Sequence, residues 1–179
     1  MPTKPKAKAT VAPQRIVIMG MSGAGKSTLA AAVGERLGVP YYHLDNIYHL
    51  PGWVARPEDE VRREFTALAE QEKWVVDGNF FRLTGSFRQR ADVLVFLDYP
   101  RWYCMAQVLL RFVRHHSGWQ RRVDLAAGFE EKFSFSFLWW VWNWQSTNRP
   151  RWLAELENFR RKCVRLRSRK ETARWLETL

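Results

Sequence analysis

The apolar positions of this chain fall in short runs, each stopped by a turn residue. Residues 15–19 (RIVIM) form a β-branched run that ends at Gly20, the pattern of a buried parallel strand. From Ser27, Leu29, Val33 and Leu37 share one helical face, and Gly38 then Pro40 close that helix. Residues 39–44 predict a second short strand, and Pro51-Gly52 marks a turn. After Pro57, acidic residues fill a first helical turn, and Val61, Phe65 and Leu68 keep helical spacing. Residues 74–76 (WVV) predict a third strand ended by Asp77-Gly78. Residues 93–97 (VLVFL) are apolar at every position and predict a central fourth strand. Met105, Val108, Leu109 and Phe112 mark another helix.

Residues 115–132 break the rhythm, with two glycines, several charges and little apolar period, and predict a mobile excursion. The chain returns to helix through FSFSFLWWVWNW (133–144), in which nine of twelve residues are large and apolar. A membrane span needs about 20 apolar residues, and charge flanks this run closely. A base-stacking platform interleaves aromatic with basic residues, and none occurs between Lys132 and Arg149. The spacing therefore predicts a packed helix, with Phe133, Phe137, Trp140 or Val141, and Trp144 facing inward. Trp139 and Trp142 fall off that stripe, free to line an acceptor pocket or a dimer contact. Arg149-Pro150 interrupts the helix and a short amphipathic helix follows. Residues 163–166 predict an edge strand and 171–176 a closing helix. Strands alternating with helices at this spacing predict an α/β fold around a parallel sheet.

Composition narrows the class. With 179 residues, 46% hydrophobic, the chain suits one packed domain, over about 14–179. Residues 1–13, which carry Lys4, Lys6 and Lys8, lack the apolar core of a signal peptide and read as a disordered basic tail. Cys104 and Cys163 lie far apart with no CxxC, which fits a reducing, cytoplasmic setting. His43, His49 and the His115-His116 pair have no metal-ligand spacing and read as structural or surface residues. The net charge is +11, and residues 101–179 carry 16 basic against 7 acidic residues. That field suits a polyphosphate ligand or a nucleic acid.

The chemistry is concentrated at 20–27, GMSGAGKS, which matches G-x-x-x-x-G-K-[ST] between a predicted strand and a predicted helix. Glycines let a polyphosphate lie against bare backbone, and the loop amides with the helix start point at the anion. Gly20, Ser22, Gly23, Ala24, Gly25, Lys26, Ser27 and Thr28 are the candidate nucleotide-binding residues. Lys26 would reach the β and γ phosphates, and Ser27 would hold Mg²⁺. A carboxylate at a neighbouring strand end should complete the metal side, and Asp77 and Asp98 both qualify.

These residues resemble adenylate-kinase-like P-loop kinases. More closely, HLDNIYHLPGW (43–53), WVVDGN (74–79), LDYPRW (97–102), EKFSF (131–135) and WNW (142–144) resemble the bacterial group often labelled DNA topology modulation (FlaR-like) proteins. The resemblance implies a three-layer α/β/α fold with a five-stranded parallel sheet of order 2-3-1-4-5 and a helical lid. That order sets the third strand beside the phosphate-loop strand and favours Asp77 for the metal. The lid would span about 115–133 and the acceptor-binding region about 43–73. Where adenylate kinases continue Asp-Gly-Phe-Pro-Arg, this chain reads Asp77-Gly78-Asn79-Phe80-Phe81-Arg82, without the proline.

Residues 43–49 also resemble the Asp-x-Phe-Tyr segment of uridine-kinase-like enzymes, which implies that Asp45 lies near an acceptor hydroxyl. An alcohol acceptor must lose a proton, so a carboxylate base helps; a phosphate acceptor needs cations instead. Asp45 favours an alcohol, and Arg82 and Arg88 a phosphate; Tyr48, Asp77 and Asn79 complete the candidate substrate residues. Arginines at the lid edges of relatives bind the triphosphate, which implies that role for Arg114, Arg122 and Arg149.

The expectation is an Mg²⁺-dependent, ATP-using kinase of a small molecule, nucleoside or nucleotide, monomeric or homodimeric and without a membrane span. The rivals are a nucleic-acid-binding P-loop NTPase that influences DNA topology and a nucleotide-binding switch. An NTPase bound to nucleic acid would draw on the basic half of the chain, with affinity falling steeply in salt.

Overall fold

The computed structural model describes residues 12–116, 134–159 and 161–179. Residues 1–11 of the expected tail, residues 117–133 of the expected lid, and Arg122 with them, lie outside the described residues.

In chain order the elements are β1 (Arg15–Gly20), α1 (Lys26–Leu37), β2 (Tyr41–His43), α2 (Leu44–Tyr48), β3 (His49–Leu50), β4 (Val54–Ala55), α3 (Glu58–Glu70), β5 (Trp74–Asp77), α4 (Gly85–Arg90), β6 (Val93–Leu97), α5 (Arg101–His116), α6 (Phe135–Thr147), α7 (Arg149–Asn158), β7 (Lys162–Leu166) and α8 (Arg169–Glu177). Five strands make one sheet in the order β2-β5-β1-β6-β7, with every pairing parallel. Counting that sheet's strands alone, the order is 2-3-1-4-5. β3 and β4 form a separate antiparallel hairpin.

The register explains the layers. In β1, Arg15 pairs with Trp74 and Met19 with Phe96, so these four side chains share one face. On that face Phe87 of α4 meets Trp74 edge-on at 5.1 Å, Phe65 of α3 lies 5.6 Å from Phe87, and Trp144 of α6 covers Phe96 at 6.2 Å. α7 joins the same layer through Trp152, set edge-on to Phe81 at 4.8 Å. Ile16 and Ile18 point to the other face, where α1 packs and is tied to α8 by Arg36 Nη2 donating to the Glu177 carbonyl. β1, β5 and β6 are buried on both faces, which is why they read as unbroken apolar runs. Among the described residues no helix is long and apolar enough to cross a membrane.

Two expectations need correction. The strand expected over 39–44 is confined to Tyr41–His43, because Leu44 turns into the short α2. In α6 the inward face is Leu138, Val141 and Trp144, with Gln145 beside it donating to the Tyr99 carbonyl. Phe137 and Trp140, expected inward, are 36% and 40% exposed. Val141 and Trp144 of the expected stripe are buried, and the difference lies at the first turn, where Leu138 rather than Phe137 takes the space above the core.

Candidate functional site

Parallel strands deliver their carboxyl ends to one edge of the sheet, and a crevice at that edge is where ligands bind in open α/β sheets. At this edge β1 runs into the glycine-rich loop. Gly20 has φ 151°, and a Cβ there would sit 2.7 Å from the Leu97 carbonyl oxygen of β6. Gly23 has φ 84°, and its Cβ would strike the carbonyl oxygen of Cys104 in α5. Both positions therefore exclude a side chain by space as well as by dihedral. Met21 accepts from the Ala24 amide at 3.1 Å, folding the loop back, and Gly25 caps α1 without a side-chain bond. The start of α1 thus presents backbone amides, the requirement for an anion. Ser22 is partly buried and Thr28 exposed at its rim.

Lys26 is partly buried and its Nζ lies 3.4 Å from the Met21 carbonyl. Burial lowers its pKa; Asp77 and Asp45 oppose that shift, while the Arg111 charge from α5 adds to it. Asp77, Asp45 and Arg111 are therefore close enough for their charges to act on Lys26.

Next to Lys26, Ser27 Oγ donates to Asp77 Oδ2 at 3.0 Å. Asp77 is fully buried at the end of β5. Its Oδ1 lies 2.8 Å from His43 Nδ1, and His43 Nε2 lies 3.3 Å from Asp45 Oδ2. The parallel register sets this up by pairing His43 of β2 with Asp77. Ser27, Asp77, His43 and Asp45 thus form one polar chain from the phosphate loop to the start of α2. Read from sequence, His43 is a structural or surface residue with no such part. The available signal was its position at the end of a strand, level with Asp77 and two residues before Asp45.

Tyr48 ends α2 and lies against Phe80 at 4.6 Å, while His49 meets Trp53 edge-on at 5.3 Å. Asn79 follows Asp77-Gly78, and its buried Oδ1 has no hydrogen-bond partner among the described residues. Asp45 is one-third exposed; Tyr48 follows it by three residues on α2, and Asn79 follows Asp77 by two. Arg82 is exposed in the turn after them. Arg88 is engaged within the fold: its Nε bonds Glu155 at 2.8 Å, and Nη1 donates to the Phe81 carbonyl and to Thr84, both at 2.7 Å. Its guanidinium also stacks on the Phe81 ring at 4.4 Å. Those contacts tie α4 to α7 through Arg88.

At the other side of the loop, Asp98 follows β6 and is gripped by two arginines. Arg149 donates through Nε at 2.7 Å and Nη2 at 3.0 Å, and Arg165 through Nε at 2.8 Å. Burial alone would raise the Asp98 carboxyl, but these hydrogen bonds and charges outweigh it and hold the pKa below the usual range. Asp98 is thereby engaged away from Ser27, and Asp77 is the carboxylate at the loop. Arg114 lies exposed near the end of α5. Cys104, behind the loop, is fully buried, and burial pushes its thiol up to about 12.

A hydroxyl and a carboxylate oxygen 3.0 Å apart suit Mg²⁺, which takes one or two protein oxygens and completes its shell with phosphates and water. The donor set fits that ion. Among the described residues no group of three or more His, Cys, Asp or Glu forms a self-sufficient metal site.

The sheet order, the loop and the strand-end carboxylates together define the fold of the P-loop kinases. The solved structures agree. A shikimate kinase from Bacteroides thetaiotaomicron superposes with TM-score 0.59 at 17% identity, over 93% of this chain and 96% of that one. A shikimate kinase from Acinetobacter baumannii, in complex with shikimate, gives TM-score 0.59 at 15% identity over 93% and 90%. In sequence, the chain is 34% identical over 134 residues to the uncharacterized protein YqaC of Bacillus subtilis (strain 168), spanning 72% of this chain and 71% of that protein. The chain belongs to the YqaC family. No family model matches it.

Proposed function

We propose that this chain is a magnesium-dependent phosphotransferase that moves the γ-phosphoryl group of ATP to a hydroxyl of a small molecule. One observation carries the reading: the polar chain Ser27–Asp77–His43–Asp45, which runs from the phosphate loop to a carboxylate open to solvent. The solved structures of like fold are kinases named for shikimate, which favours a small-molecule acceptor over a macromolecular one.

Loop amides and Lys26 bind the triphosphate and offset its charge. Ser27 and Asp77 would hold Mg²⁺, which when bound would neutralise charge on the phosphate oxygens. Asp45 takes the proton of the acceptor hydroxyl as that oxygen bonds to the γ-phosphorus. The bond to the bridging oxygen breaks, and its electron pair leaves with ADP. Tyr48, Asn79 and Arg82 line the acceptor side. Arg149, held on Asp98, and Arg114 flank the triphosphate side.

The test is calorimetry with MgATP, followed by a coupled ADP-release screen over nucleosides, nucleotides, sugars and small hydroxy acids. Acceptor-dependent ADP release that Lys26→Ala abolishes is the expected result. ADP release stimulated by DNA and by no small acceptor would overturn the proposal.

A further inference from the structure

Asp77 divides its two oxygens between two partners. Oδ1 faces His43 Nδ1 at 2.8 Å and Oδ2 accepts from Ser27 Oγ at 3.0 Å. The terminal torsion of an aspartate is soft, so a carboxylate held through one oxygen alone can turn. The imidazole removes that freedom. Its own place is fixed twice: the His43 side chain is 5% exposed, and the β2–β5 register sets it opposite Asp77. On its far edge the same ring stands 3.3 Å from Asp45 Oδ2. α2, which carries Asp45, has only five residues and no side-chain cap, so it has little stability of its own. A contact to a buried ring therefore matters more to Asp45 than it would on a long helix.

We propose that His43 is a positioning residue for the magnesium end of the site: it pins Asp77 Oδ1 so that Oδ2 is presented beside Ser27, and indexes Asp45 on the same carboxylate. This inference rests on the nucleotide-and-magnesium reading above. His43 touches neither phosphate nor acceptor in this scheme; it acts through Asp77 and through Ser27 Oγ, which lies 3.5 Å from its Nδ1. Groups that orient a ligating carboxylate typically change metal affinity by about 10- to 100-fold when removed.

The experiment measures ADP affinity by calorimetry with and without Mg²⁺, and the melting temperature, for the unaltered chain and for His43→Ala, His43→Asn and His43→Gln. An asparagine amide reaches the position of Nδ1, on the Asp77 side, and a glutamine amide reaches that of Nε2, on the Asp45 side. In His43→Ala the factor by which Mg²⁺ tightens ADP should fall about tenfold or more, with metal-free ADP affinity within about twofold of the unaltered chain. His43→Asn should recover most of that factor and His43→Gln should not. If His43→Ala does not fold, the contrast between Asn and Gln decides alone. An unchanged magnesium factor in His43→Ala, or Asn and Gln behaving alike, overturns the inference. So does a loss of metal-free and metal-bound affinity in step with the melting temperature, since that marks a purely structural role. An unaltered chain that binds ADP neither with nor without Mg²⁺ overturns the proposed function itself, and this inference with it.

Discussion

Ser27 Oγ donates to Asp77 Oδ2 at 3.0 Å, joining the first turn of α1 to the end of β5 across 50 residues of sequence. This bond connects the phosphate loop to the rest of the site. On the proposed function, Ser27→Ala removes one oxygen from the metal and leaves the loop backbone intact. The advantage of MgADP over metal-free ADP should shrink by about tenfold or more, while metal-free binding persists. Calorimetry in the presence and absence of Mg²⁺ reads both numbers.

Gly23 and Gly25 share a left-handed backbone, with φ of 84° and 85°, but not the same surroundings. A Cβ on Gly23 collides with the Cys104 carbonyl and comes within 3.0 Å of Val108 Cγ2, whereas nothing lies within 4 Å of one on Gly25. Gly23→Ala should therefore carry both dihedral strain and overpacking, together about 2–4 kcal/mol, and Gly25→Ala only the dihedral part, about 1 kcal/mol. In thermal melts Gly23→Ala should lose roughly 4–16 °C and Gly25→Ala roughly 2–4 °C. Equal losses would mean that the loop is not seated on α5 as described.

Asp45 is the proposed base, and its carboxylate is one-third exposed while its neighbours on the polar chain are buried. Asp45→Asn keeps the shape and removes the basicity. Once an acceptor is found, kcat should fall about 10²- to 10⁴-fold while the MgATP dissociation constant stays within a few-fold. Equal, modest losses in both quantities would assign Asp45 to binding only.

The sheet was legible before the site was. β1, β5 and β6 are buried on both faces, so their composition alone marks them as central parallel strands, and the loop between β1 and α1 follows from its glycines and Lys26-Ser27. α2 and the β3–β4 hairpin were not legible, because elements of five and two residues are too short to show a period. The α6 face was misjudged for the opposite reason: nearly every position is large and apolar, so the pattern has no phase. His43 was missed because its role is created by register, which pairs it with a residue 34 positions away.

Arg88 was expected at the acceptor and instead bonds Glu155, Thr84 and the Phe81 carbonyl. Arg88→Ala should cost about 2–3 kcal/mol, the loss of charged hydrogen bonds and of the stacked Phe81 contact. Arg88→Lys should not restore it, since one ammonium cannot satisfy that planar set. Acceptor KM should not move in either variant. A raised KM at unchanged melting temperature would return Arg88 to the acceptor.

Asp98 links β6 to α7 and β7 through Arg149 and Arg165, and its side chain is 6% exposed. Its pKa in the fold lies below the usual carboxylate range, despite burial, because the two guanidiniums favour the charged form. A depressed acid stabilises the fold above its unfolded pKa, and that stabilisation is lost as pH falls through the folded value. Both arginines are about one-third exposed, which screens the pairs, so the contribution is modest, about 1–2 kcal/mol. Asp98→Asn should therefore melt roughly 2–8 °C lower than the unaltered chain at pH 7. The gap should persist down to about pH 4 and narrow below it, as the native carboxylate takes up its proton and loses the advantage the variant never had. A gap of constant size from pH 7 to pH 3 would mean that the shape of Asp98, and not its charge, holds the two arginines.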